Sequence, residues 1–333
     1  GKSKQEAGMS HSTTNRDGIA PEEPRLRSGA VVIGVSNRFN ADVRSLRTAA
    51  AWAARRHLDV ELVVGLDRTA AGDEVYQAGT EQRRRFALAE IERFANHLAL
   101  LMDPGQRIHS TVSDQSAVDA LVGASESAGL LVLQRRRMGP ITRLRVGSTS
   151  ADVAARSVCP VLILHADDRA EADTDGPRAV LVGVDERGHG EHAIAEAFAE
   201  ASWRNVPLTA VHAWAPAVPT YLPPGALEGT ESHTAIAAGV AEQLAGYRSR
   251  YPDVTLRQLV VEGEPVPVLL DLARDHDLLV VARHTEGHRT RRDLGSTARR
   301  VIEEAPCPVL ITPSGRPAAV ARHRHAREPQ TQT

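Results

Sequence analysis

The chain has 333 residues, of which 42% are hydrophobic and 25% charged, with a formal net charge of −2. That supplies apolar residues for more than one core and too little net charge to draw the molecule to nucleic acid or an anionic membrane. No apolar run approaches the roughly 18 residues of a membrane span and no signal-like stretch is present, so a cytoplasmic protein is expected.

In chain order, residues 1–28 are rich in Ser, Thr, Gly, Glu and Arg and read as a disordered leader, with Met9 a candidate start. Short β-branched runs then alternate with helical stretches. "AVVIGV" from Ala30, "DVELVVGL" from Asp59, "RIHSTV" from Arg107, "LLVLQ" from Leu130 and "PVLIL" from Pro160 read as strands. Between the second and third, Ala87, Ile91, Phe94, Leu98 and Leu101 recur at spacings of four and three, the apolar face of a helix. An acidic stretch over residues 167–177 reads as a linker. "RAVLVGV" from Arg178, "PLTAVHAW" from Pro207, "VTLRQLVV" from Val254, "DLLVVA" from Asp277 and "PVLIT" from Pro308 answer the first five strands, and residues 314–333 form a basic, disordered tail. "APAVPTYLPPGALEG" from Ala215 is a candidate lid, its composition that of a mobile connection.

The correspondence is a tandem duplication. Gly147 and Gly295 are 295 − 147 = 148 residues apart, as are Cys159 and Cys307 (307 − 159 = 148). A period of this size is a whole small domain. The expected fold is α/β, two tandem doubly wound domains over residues 29–166 and 178–313, each a five-stranded parallel sheet with helices on both faces. Ligands of such sheets sit beyond the carboxyl ends of the strands where the order reverses, which directs attention to the residues after Val35 and Gln134 in the first copy and after Val184 and Ala282 in the second. The two cysteines read as small buried apolar groups rather than a disulfide.

"VLVGVDE" at the first strand of the second copy, "VHAW" ending its second strand, and a fourth-strand loop running through "GST" into a helix and "CPVLI" resemble the universal stress protein family. The resemblance covers both copies and implies two such domains paired within one chain, often through their last strands, as an intramolecular pseudo-dimer, with homodimers a further assembly. It also implies an ATP site: an aspartate at the tip of the first strand and a loop Gly-x2-Gly-x9-Gly-Ser/Thr whose backbone N–H groups and following helix meet the phosphates. In the second copy these positions are Val184, Asp185, Ala282, Thr285, Gly295 and Ser296, with Gly287 and Thr297 beside them. In the first, Ser36 replaces the aspartate, Gln134 and Arg137 the first two glycines, and only Gly147 and Ser148 are kept. A side chain in place of a glycine crowds a phosphate or penalises a positive φ, so binding weaker than in a glycine-complete relative is expected. Ser148 and Ser296 have a structural role as well, as helix caps.

The loops carry Arg135, Arg136, Arg137, Arg143 and Arg145 in the first copy and Arg283, Arg289, Arg291 and Arg292, with His284 and His288, in the second. They read as a solvated surface; anion binding through their guanidinium groups is the alternative. "HTEGH" at His284 lacks metalloprotease spacing, and Asp185, His189 and His192 have no nucleophile at readable spacing, so no metal and no catalytic residue is assigned. Neither first strand leads into Gly-x-Gly-x-x-Gly, which argues against a dehydrogenase. The expected function is a non-catalytic stress-response module that binds a small anionic ligand or a protein partner. An adenine-nucleotide binder, or slow ATPase, working mainly through the second copy is the alternative.

Overall fold

A computed structural model of the chain describes residues 29–35, 43–66, 74–135, 149–165, 178–185, 190–214, 229–283 and 294–313. The first copy runs β1 (Ala30–Gly34), α1 (Val43–Arg56), β2 (Val60–Gly65), α2 (Glu74–Ala99), β3 (Ile108–Ser113), α3 (Ala117–Ala124), β4 (Ala128–Arg135), α4 (Thr149–Arg156) and β5 (Val161–His165). The second runs β6 (Val180–Gly183), α5 (Glu191–Arg204), β7 (Leu208–Trp214), α6 (Gly229–Arg250), β8 (Leu256–Glu262), α7 (Pro265–Leu272), β9 (Leu278–Ala282), α8 (Ser296–Glu304) and β10 (Val309–Thr312). The leader, the linker and the tail lie outside the described residues, as does the stretch from Ala215 to Glu228.

The ten strands form one sheet in the order β3-β2-β1-β4-β5-β10-β9-β6-β7-β8. Within each copy every pairing is parallel; where the copies meet, β5 and β10 pair antiparallel. Leu162 stands opposite Leu310, and since 310 − 162 = 148, equivalent residues face each other across the junction. The expectation of two five-stranded parallel sheets joined by their last strands is met, and the junction makes them continuous.

Each face of the sheet carries its own core. Trp52, Ile91, Phe94 and Leu98 pack on one side with Ile194, Phe198 and Leu244 from α5 and α6. Leu121, Val153, Leu269, Val301 and Ile302 pack on the other, beneath α3, α4, α7 and α8. The stripe on α2 is core as read, with Leu101 packed just beyond the helix end. The strands read as near-continuous apolar runs because both faces are covered. Both cysteines are buried and free, and burial pushes the Cys159 thiol up to about 11, which keeps it unreactive.

Local signals fix the helix ends. Ser116 accepts from the Asp119 N–H at 3.1 Å to cap α3. α7 opens on Pro265, where a missing N–H costs nothing. α1 and α5 are each followed by a left-handed residue, His57 (φ 52°) and Asn205 (φ 54°), again 148 apart (205 − 57).

Candidate functional site

β6 and β9 are neighbours in the sheet, but their crossover helices leave to opposite faces, which opens a crevice at their carboxyl ends. Gly183, Val184 and Asp185 leave β6 there, and Val281, Ala282 and Arg283 leave β9. Val211, His212 and Ala213 of β7 add a wall; Pro265 and Leu269 of α7 close another; Gly295, Thr297 and Ala298 bring the first turn of α8 to the rim. The cavity is about 180 Å³, below the roughly 300–1,000 Å³ that encloses a drug-sized ligand. It has room for a heterocyclic ring, with any charged extension lying outside over α8.

The backbone of this crevice is held firmly. Val184 N–H donates to Val211 O at 2.8 Å, and Gln243 donates through Nε2 to the Asp185 carbonyl at 3.0 Å. The buried His212 ring donates from Nδ1 to Val184 O at 2.9 Å. Gly295 N–H donates to Arg283 O at 3.0 Å, tying the start of α8 to the end of β9.

Of the residues singled out in the sequence, Val184, Asp185, Ala282, Gly295 and Thr297 come together here. Ser296, between two of them, is exposed and outside the lining. Thr285, Gly287, Gly147 and Ser148 lie outside the described residues, as do Ser36, Arg136, Arg137, Arg143, Arg145, His189, Arg289, Arg291, Arg292, His284 and His288.

Three expectations are corrected. Ser296 is not the cap of α8: the helix starts one residue earlier than the capping reading requires, at Ser296 itself. Gly295 is the N-cap, its carbonyl takes the Arg299 N–H at 2.9 Å, and as a glycine it has no side chain to cap the first turn. Ala282 is an ordinary strand residue, and the non-glycine positive-φ residues among those described are His57 and Asn205, so its Cβ takes up room without straining the backbone. Finally, Arg283 is buried and Arg135 half-buried, and neither belongs to a freely solvated surface. Arg283 is 7% exposed and donates from Nη1 to the Ser157 carbonyl at 2.7 Å; Arg135 donates from Nη1 to the Ile302 carbonyl at 2.6 Å. Each crosses into the other copy, because the antiparallel β5–β10 junction brings the carboxyl ends of α4 and α8 beside the ends of β9 and β4.

The first copy treats the same place differently. Val281 and Leu269 correspond to Leu133 and Leu121 (281 − 133 = 148 and 269 − 121 = 148). A Cβ built on Gly34 would stand 2.6 Å from Leu133 Cδ2 and 3.1 Å from Leu121 Cδ1, whereas on Gly183 the nearest atoms are Leu269 Cδ2 at 3.3 Å and Val281 Cγ1 at 3.5 Å. One extra methylene at position 133 fills space that Val281 leaves open. The end of β2 tightens it further: Gly65 replaces Ala213 (213 − 65 = 148), and a Cβ there would lie 2.5 Å from the Ala117 Cα. The start of α3 thus comes closer to its strand than an alanine would permit.

His212, Val211, Pro265, Leu269 and Val281 were not singled out from the sequence. "VHAW" marked the strand that carries His212, but a buried histidine beside a strand end has no spacing that announces a pocket.

The fold and the crevice define a tandem doubly wound α/β protein with its opening at the β6–β9 switch point. The universal stress protein family model matches residues 29–165 and again 177–313. A universal stress protein of Mycolicibacterium smegmatis is 31% identical over 292 residues, covering 84% of this chain and 96% of that one. Another, from Mycobacterium tuberculosis strain H37Rv, is 31% identical over 299 residues, covering 87% and 98%. Among solved structures, a universal stress protein from Archaeoglobus fulgidus superposes with a TM-score of 0.62 at 16% identity, covering 87% of this chain and 99% of that one. The chain belongs to the universal stress protein family, as a member with two family domains in tandem. No described helix is long and apolar enough to cross a membrane.

Proposed function

We propose that this protein is a non-catalytic stress-response binding module whose ligand site lies in the second copy, and that the site takes an adenine nucleotide. The observation that carries this reading is the difference between the two crevices. In the second copy Val281 and Ala213 leave an opening of about 180 Å³ lined by Val184, Asp185 and His212, whereas Leu133 and Gly65 tighten the same place in the first. The opening suits a planar base. The first turn of α8, whose N-cap is a glycine, offers backbone N–H groups and the positive end of a helix dipole to a phosphate. Asp185, just past β6, would meet a ribose hydroxyl. With Ala282 where a glycine would stand, the affinity is modest, a Kd of about 10–1,000 μM.

Calorimetric titration of the whole chain with ATP tests the reading, with Val281→Leu as the decisive variant because it copies the filled arrangement of Leu133. The expected result is one saturable site per chain in the wild type, weakened at least about ten-fold in the variant. Silence of the wild type at millimolar ATP, or unchanged binding by the variant, would refute it.

A further inference from the structure

α8 is held at both ends, and at both ends the first copy takes part. At its start, Gly295 N–H donates to Arg283 O at 3.0 Å, and Arg283 N–H donates to Thr312 O at 2.9 Å. The side chain of that same arginine leaves the second copy and is anchored on Ser157 O, just past the end of α4. At the other end, the Ile302 carbonyl accepts from Arg135 at 2.6 Å and from the buried His165 ring, through Nε2, at 2.8 Å. α8 has no basic residue in its last turn, which instead carries Glu303 and Glu304. The negative end of a helix dipole favours nearby cations and disfavours acids. Here the favourable donors come from the other half of the molecule.

We propose that Arg135 and Arg283 are positioning residues for the site in the second copy: without touching ligand, the first copy sets where the opening turn of α8 stands at the crevice. The proposal rests on the nucleotide reading above for what the site binds, but not for how the helix is held. α8 has nine residues and is therefore a rod roughly 13 Å long at about 1.5 Å per residue. Releasing its far end from Arg135 lets the rod pivot, and the N–H groups at its near end move relative to Asp185 and Ala282. The effect runs both ways, because two events that favour the same arrangement favour each other. A ligand pressing on Gly295 and Thr297 strengthens the contact of α8 with the first copy.

The test uses the full chain with Arg135→Met, the conservative Arg135→Lys and, should Met fail to fold, Arg135→Gln. Two quantities are read: the Kd for ATP by calorimetry, and hydrogen exchange of the Gly295 and Arg299 amides without ligand. Glu200→Gln, which weakens the carboxylate that Arg56 of α1 and Arg204 of α5 share on the opposite face of the sheet, is the control for a general loosening. The expected result is a three- to ten-fold weaker Kd in Arg135→Met, recovery of most of it in Arg135→Lys, faster exchange at Gly295 in the Met variant, and neither change in Glu200→Gln. Unchanged Gly295 exchange in Arg135→Met would overturn the proposal, whatever the Kd does. So would an equal loss of affinity in Glu200→Gln. If the wild type binds no ATP, the nucleotide reading falls while the exchange measurement still decides whether Arg135 positions α8.

Discussion

Arg56 and Arg204 occupy equivalent positions of the two copies (204 − 56 = 148) and share one carboxylate, that of Glu200. Arg204 donates to it from Nε at 3.0 Å and Arg56 from Nη2, while Arg56 also reaches Glu196 at 3.1 Å. The Arg56 guanidinium lies over Trp52 at 5.0 Å and over Trp203 at 4.5 Å, and Arg204 lies over Trp52 at 5.0 Å. Glu200 is 1% exposed, and burial pushes the neighbouring Glu196 carboxyl up even with Arg56 beside it. This cluster joins α1 to α5 on the face of the sheet opposite α4 and α8.

Removing its centre takes away the carboxylate that two buried guanidinium groups share. Glu200→Ala is expected to cost about 3–5 kcal/mol of stability, the range for breaking a buried ion pair from one side. Equilibrium unfolding in urea measures it, and a loss below about 1 kcal/mol would show that the cluster is no more than a surface arrangement.

Gly65 is the tightest glycine described. A Cβ there would meet the Ala117 Cα at 2.5 Å, the Ala117 N at 2.6 Å and the Ser116 carbonyl carbon at 2.8 Å, all backbone atoms that cannot rotate aside. Gly65→Ala is therefore expected to destabilise by at least about 1–3 kcal/mol. Ala213→Gly, at the equivalent position of the second copy, should cost no more than about 1 kcal/mol from added chain freedom. Denaturant midpoints of the two variants give the comparison, and equal losses would contradict the asymmetry between the crevices.

Glu61 gives a pH-dependent prediction. It is 4% exposed within β2, and burial pushes its carboxyl above the ordinary value of 4.5, outweighing the hydrogen bond from Thr111 Oγ1 at 2.7 Å and the nearby His109. The folded state thus holds this proton to a higher pH than the unfolded state does. Linkage makes the contribution fully present below the ordinary glutamate range and lost as pH rises through the raised value. Glu61→Gln keeps an acceptor for Thr111 and cannot ionise. Its stability relative to wild type should improve as pH rises from about 4 and level off above the raised value; urea unfolding at several pH values would reveal a flat or reversed trend if the carboxyl is not desolvated.

Much of this was legible in the sequence because it follows from periodicity. The repeat, the parallel sheets implied by alternating strands and helices, the stripe on α2 and the buried cysteines are all local or internally repeated signals. The positions of Val184, Asp185 and Gly295 followed from the motif and the strand ends. What escaped depends on contacts between distant segments. Arg135 and Arg283 sit among other arginines and share their chemistry with a solvated surface; only the β5–β10 pairing, which folds each against the far end of a helix from the other copy, distinguishes them. Leu133 against Val281 looks like a neutral exchange of aliphatics until the glycine facing each is seen. The cap of α8 shifted by one residue from Ser296 to Gly295, a difference that a Gly-Ser pair permits either way.

The antiparallel pairing of Leu162 with Leu310 has a further consequence. In an assembly of separate subunits this contact would come apart on dilution, and both partners would be encoded by one gene, so each would have to keep a pocket and a docking edge at once. Fusing them fixes the stoichiometry at one to one and makes association independent of concentration. The halves are then free to diverge. One can pack its crevice more tightly, as at Leu133 and Gly65, while the other keeps its own open.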